Sequence, residues 1–398
     1  MEKALEGVNI VDLSRVQAGP SCAQLLAFLG ADVIKVEDTD GGDRTRWELA
    51  HREGVDSVYF TIFNNNKRCI TLNLKTDRGR ELLVPLVEWA DVVLENFSKG
   101  VMDRLGFGYE RLKEINPGVV HASIKGFGEW GPYSDYKSFE TAAQATAGLM
   151  AANGSADGPP MSSPLGAGDS ASGVHMAVGI LAALRQRDRM GEGQHVEVAM
   201  QDGIVNLMRM RLVRSLSVGE ANRRSGALGW SGVPQVFKCH AGGYDDYVMI
   251  HIRGDLWDTV LAVIGREDLI GDERYDTDEK RGQRPDEVEA IVTEWTSKRT
   301  KYEAFHTLAS VGVWSGAVIS PEEVLTNEHL LAREMIVEVE DPARGDYKMI
   351  GCPIKLEKSP VKVTAAPRYG EHNDEILTSM LGVAPEELPK LRQQGVIV

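Results

Sequence analysis

The 398 residues carry 44 Lys and Arg against 59 Asp and Glu, a net charge of −15, which argues against nucleic acid as a partner. Such a length exceeds what one core usually organises, so two domains are expected. A composition of 42% apolar and 26% charged residues is that of a soluble globular protein.

Four widely spaced cysteines, Cys22, Cys69, Cys239 and Cys352, show no metal-ligand pattern and read as reduced, packing thiols. The start, Met-Glu-Lys-Ala-Leu-Glu-Gly, has no basic stretch leading into an apolar run. No apolar run approaches a membrane span in length, and a cytoplasmic protein with no membrane partner is expected.

Residues 8–13 read as a buried strand. A loop through Gly19-Pro20 leads to a helix over 21–29, closed by Gly30, and a second strand follows at 32–36. The alternation continues with strand 69–74, helix 77–89, strand 91–95, short helices over 100–115 and strand 119–124. Helices are expected at 142–150 and 170–187. Strands alternating with helices predict an α/β fold, a Rossmann-like open parallel sheet covered on both faces. Beyond Arg224 the composition turns to Gly, Pro and Ser, so a smaller α+β domain is placed at 225–320. A C-terminal segment, 321–398, returns to the large domain.

In such sheets ligands bind beyond the carboxyl ends of the strands. The polar residues there are Arg15 and Gln17, then Lys75, then Asn96-Phe97-Ser98 with Arg104, then Lys125. Basic, amide and aromatic side chains together suit a ligand with several phosphates. Gly126-Phe127-Gly128-Glu129-Trp130-Gly131 spells a dinucleotide fingerprint, yet Pro132-Tyr133-Ser134-Asp135 continues it as a turn where a helix is required. This argues against a nicotinamide dehydrogenase. The histidines show no H-E-x-x-H spacing, so no metal is expected, and no G-x-S-x-G elbow supports a serine hydrolase.

The stretch Gly166-Ala167-Gly168-Asp169-Ser170 places a carboxylate between a strand-like segment and an apolar helix. Asp169 reads either as a helix cap or as a nucleophile kept ionised by the helix N-terminus. His175, on the helix behind it, reads as a packed or capping imidazole.

Taken together, Val16-Gln17-Ala18-Gly19-Pro20, residues 31–37, 64–68, 93–97 and 105–107, Gly166 to Ser170, 196–202, Lys238-Cys239, 351–355 and Gly370-Glu371-His372 resemble the family III CoA-transferases. The resemblance spans the chain. It implies a homodimer of interlocked chains, acyl-CoA and a small carboxylic acid as substrates, and coenzyme A as co-substrate with no permanently bound cofactor. Asp169 matches the family's nucleophile and Gln17 the residue that orients the acyl groups. Ala18, Leu74, Lys75, Asn96, Phe97, Ser98, Arg104, Lys125 and Lys137 match positions that hold CoA. Tyr59, Trp47, Glu140 and Gly232 match the substrate pocket.

Three departures stand out. Asp38 replaces an arginine near the nucleotide, Phe139 replaces a tyrosine, and the segment between Arg224 and Lys238 is shortened to Gly226, Gly229 and Gly232. Two competing readings share the fold. An acyl-CoA racemase would need a His-Asp pair where Phe139 and Glu140 stand, and Phe139 cannot exchange a proton. A non-catalytic CoA-binding homologue would lack the nucleophile, which is present.

Overall fold

In a computed structural model the described residues are 3–52, 54–220, 224–229, 231–342 and 344–398. The chain resolves into two compact units. One comprises residues 1–150, 162–219 and 333–398; the other comprises 151–161 and 220–332. The composition change had put the boundaries at 224/225 and 320/321.

The first unit opens with β1 (Asn9–Asp12), α1 (Ala18–Phe28), β2 (Asp32–Glu37), α2 (Val58–Asn64), β3 (Arg68–Thr71) and α3 (Asp77–Trp89). It continues with β4 (Val92–Glu95), α4 (Val101–Leu105), α5 (Tyr109–Ile115), β5 (Val120–Lys125) and α6 (Glu140–Thr146). After α7 (Leu149–Ala152) come α8 (Ala167–Met190), β6 (His195–Ala199), α9 (Met200–Leu207) and α10 (Arg209–Val218). The strands form one parallel sheet in the order β3-β2-β1-β4-β5-β6. Chain order reverses between β1 and β4, which opens a crevice at their carboxyl ends. β4 and β5 are buried along their whole length, as a strand covered on both faces must be.

On one face Leu82, Leu83, Leu86 and Val87 of α3 cover the sheet beside Val11, Ile34, Ile70 and Val93. The C-terminal α11 (Asn373–Ser379) and α12 (Leu388–Gln393) add Ile376, Leu377, Leu388 and Leu391 to that core. On the other face α1 and α8 pack closely. A Cβ on Gly173 would lie 2.1 Å from Ser21 Oγ and 2.9 Å from the Ala18 carbonyl, so the contact requires glycine. That approach brings the start of α1 beside the start of α8.

α8 is 24 residues long and apolar enough by composition to cross a membrane, contrary to the expectation that no stretch reaches that length. Half of its most apolar window is buried inside the protein, as in a packed core helix.

The second unit contains an antiparallel three-stranded sheet of β7 (Val236–Lys238), β8 (Tyr247–Ile250) and β9 (Ser315–Ala317). Its separate core is built on Phe237, Val248, Trp257, Val260, Val288 and Val292.

Candidate active site

The crevice at the β1/β4 switch holds a cavity of about 600 Å³. Loops after β1, β4 and β5, the first residue after β6, and the start of α8 all line it. Of the expected residues, Ala18, Tyr59, Asn96, Phe97, Ser98, Lys125, Lys137, Glu140 and Asp169 reach its wall.

Asp169 is the third residue of α8. It is not the cap: Gly166 holds that position at φ +57°, and the segment before it is turn and irregular chain where a strand-like segment was expected. A Cβ on Gly166 would come within 2.5 Å of Gln17 Nε2, so this glycine serves both the turn and the approach of Gln17. Gln17 Nε2 donates to Ser170 Oγ at 3.1 Å, which ties the amide to the first turn of α8.

Three N–H donors of that turn are already committed, that of Ser170 to the Gly166 carbonyl at 2.7 Å. The N–H groups of Gly168 and Asp169 donate to Glu140 Oε1 and Oε2 at 3.1 and 2.7 Å. Glu140 therefore caps α8 from a separate helix, and Gln144, fully buried one turn further along α6, donates to it in turn. Any oxyanion formed at Asp169 must look to other donors.

The same arrangement changes the expected ionisation. Burial and then the Glu140 carboxylate push Asp169 up to about 7, partly offset by the Arg44 guanidinium. The helix N-terminus, with its N–H groups donated to Glu140, does not keep Asp169 in the ordinary carboxylate range. Tyr59 is also raised, by burial and by Asp169.

The loop carrying Gln17 is held by buried charge. Val16 adopts φ +67°, a strained conformation for a β-branched residue. Its N–H donates to Asp43 Oδ2 at 3.0 Å, and Lys35 Nζ donates to the same oxygen at 3.1 Å. Asp43 Oδ1 accepts from the N–H and Oγ1 of Thr45. Burial opposes ionisation of Asp43, but Lys35 and these donors outweigh it and bring the group down to about 2.

Several expected phosphate ligands have other duties. Lys125 is buried, and its Nζ donates to Glu95 and, at 2.8 Å, to the Phe97 carbonyl. Its charge is neutralised in place, so it shapes the loop after β4 and presents no free cation. Asn96 accepts from the Arg15 N–H and donates to the Arg15 carbonyl, both at 2.8 Å, so its amide joins two loops. Lys75 is highly exposed and lies 3.8 Å from Asp38, which also pairs with Arg15 at 3.6 Å. Leu74 packs against the core.

Arg104 is exposed on α4 and Trp47 lines a different cavity, with Arg46 and Tyr369; neither reaches the wall around Asp169. Gly232 belongs to the second unit, in a turn closed by its N–H donating to the Gly229 carbonyl. His175 is pinned by the Ala171 carbonyl and Asn206, away from the cavity.

Sequence reasoning missed Arg44, Lys99 and Met200, which all line the wall. Only the Asp43-x-Thr45 pair, an Asx-turn pattern, signals that the backbone beside Arg44 is fixed.

The model of CoA-transferase family III matches residues 5–373. The chain belongs to CoA-transferase family III. It is a transferase acting on CoA thioesters. Formyl-CoA:oxalate CoA-transferase of Streptomyces coelicolor is 44% identical, covering 99% of each chain. The enzyme of the same name from Streptomyces avermitilis is 43% identical over 100% of both chains. Among solved structures, a CAIB/BAIF family protein from Brucella suis superposes with a TM-score of 0.86 at 31% identity, over 96% of this chain and 100% of its own. Rv3272 from M. tuberculosis does so at 0.79 and 28% identity, over 93% and 98%.

Proposed function

We propose that this transferase moves CoA from formyl-CoA to oxalate, with Asp169 as its nucleophile. The observation that carries the reading is the placement of Asp169, in the first turn of α8 on the wall of the switch-point cavity, with Gln17 tied to the next residue. The names of the relatives at 40–44% identity support this pair of acids.

An Asp169 oxygen attacks the thioester carbonyl and CoA thiolate leaves, giving a mixed anhydride. The thiolate then attacks the aspartyl carbonyl, releases the donor acid and leaves an aspartyl-CoA thioester. The acceptor carboxylate attacks that thioester, expelling CoA thiolate and forming a second mixed anhydride; the thiolate then attacks the acceptor's carbonyl carbon, which releases the Asp169 carboxylate and the new acyl-CoA. Gln17 orients the acyl groups, and Tyr59 and Glu140 border the reacting carbons. Phe97 and Ser98 hold the pantetheine side of CoA, Lys137 a phosphate of CoA, and Lys75 and Arg104 its nucleotide end. The enzyme works as a cytoplasmic homodimer, without a permanently bound cofactor, and binds neither nucleic acid nor membrane. A racemase gains no support from the cavity, because Phe139 lines it where a second base would stand.

Incubation with formyl-CoA and hydroxylamine should convert Asp169 to its hydroxamate, seen by peptide mass spectrometry. Asp169→Asn should bind CoA yet transfer at background level. An unmodified Asp169 in folded protein would favour a binding-only homologue, and a panel of donors against oxalate, acetate and succinate checks the acids.

A further inference from the structure

We infer that Arg44 is a specificity residue that receives the second carboxylate of a dicarboxylic acceptor. The inference rests on the transferase reading of Asp169.

Among the described residues four cations line the cavity, Arg44, Lys99, Lys125 and Lys137. Lys125 is spent on Glu95 and the Phe97 carbonyl, and Lys99 on Asp135 at 3.0 Å and Ser134 at 2.8 Å. Lys137 and Arg44 are left. Of these two, Arg44 stands at the reacting end: it follows Asp43, whose carboxylate accepts the N–H of Val16 next to Gln17, and it shares the wall with Tyr59 and Asp169. Its backbone is fixed by the buried Asp43, which caps the short 3₁₀ turn Arg44–Arg46, while its side chain stays 59% exposed.

The pair with Glu48, at 3.5 Å, is solvent-exposed and i,i+4 in spacing, a contact that a better-placed anion displaces easily. A monocarboxylic acceptor loses its only charge on becoming an anhydride or thioester. A dicarboxylic one keeps a second charge, in a cavity that Glu140 also lines and inside an acidic protein, so a cation within reach favours it. A planar guanidinium can meet that group with two parallel hydrogen bonds. A purely electrostatic role at Asp169 would affect all acceptors alike, whereas a carboxylate-binding role discriminates between them.

The test compares matched acids, oxalate with glycolate, malonate with propionate and succinate with butyrate, in wild type, Arg44→Met and Arg44→Lys. For the dicarboxylate that wild type uses best, the ratio of its kcat/KM to that of its monocarboxylate partner should fall at least tenfold in Arg44→Met. Arg44→Lys, with the charge but without the fork, should lie between. Ratios within twofold of wild type, including equal loss toward both acids, overturn the assignment. If wild type itself yields no Asp169 hydroxamate from acyl-CoA and hydroxylamine, the transferase reading fails and Arg44 falls with it. A normal hydroxamate yield with unchanged ratios removes Arg44 alone.

Discussion

Asp169 combines two demands that conflict. A nucleophile must be ionised, yet burial and Glu140 raise its pKa to about 7. For acyl-CoA, kcat/KM should therefore fall about tenfold per unit as pH drops below about 7. The same shift works against stability. An acid whose folded pKa is raised leaves stability intact below its unfolded value of about 3.9, and stability is lost as pH climbs to the folded value, then levels off. Asp169→Asn removes that penalty. At pH 8 it should be more stable than wild type by ~1–3 kcal/mol, after discounting for partial solvent access. Thermal melting should show the variant higher by roughly 2–6 °C at pH 8, with the gap shrinking by pH 5. Equal melting at pH 8 would show that Asp169 is not held out of water in the free enzyme.

At the scale of elements, the α1–α8 contact sets the distance between Gln17 and Asp169. Gly173→Ala drives a methyl against Ser21 Oγ and the Ala18 carbonyl, so the helices must part. Overpacking of this kind costs ~1–3 kcal/mol, and misplacing the reacting groups by about 1 Å can cost up to ~100-fold in rate. Gly173→Ala should lose at least about tenfold in kcat, and adding Ser21→Ala should restore part of it, because the nearest clash is with that hydroxyl. A rate unchanged by Gly173→Ala would mean that the helix spacing does not set the site. Most of the sheet was readable from its apolar runs, because β1, β2, β4 and β5 are buried through nearly their whole length. β6 was not, since His195–Ala199 is a half-buried edge strand with polar residues alternating among small apolar ones. The start of α8 was misplaced because Gly166 and Gly168 mask its first turn. The partners of Lys125 and Asn96 could not be read either, since their contacts lie 30 and 81 residues away in the chain.

For the whole molecule, a charge of −15 offers no diffuse attraction to a multiply phosphorylated ligand, so CoA must be held by a few local cations. The cavity separates candidates that look equivalent in sequence. Lys99 and Lys137 both line the wall, but Lys99 is already paired with Asp135 at 3.0 Å. Among the described residues no acidic group lies within ion-pair distance of Lys137. A new charge-assisted contact contributes ~1.5–3 kcal/mol, and each 1.4 kcal/mol is tenfold in affinity. Lys137→Ala should therefore raise the KM for acyl-CoA about tenfold or more, while Lys99→Ala, which only exchanges one exposed pair for solvent, should change it less than about twofold. The KM for the free acid should hardly move in either variant, because that acid meets CoA at the thioester end. If Lys99→Ala raises the acyl-CoA KM as much as Lys137→Ala, existing ion pairs do not decide which cations bind the ligand. CoA would then draw on the pooled charge of the wall, and the pairing seen between Lys99 and Asp135 would have to open on binding.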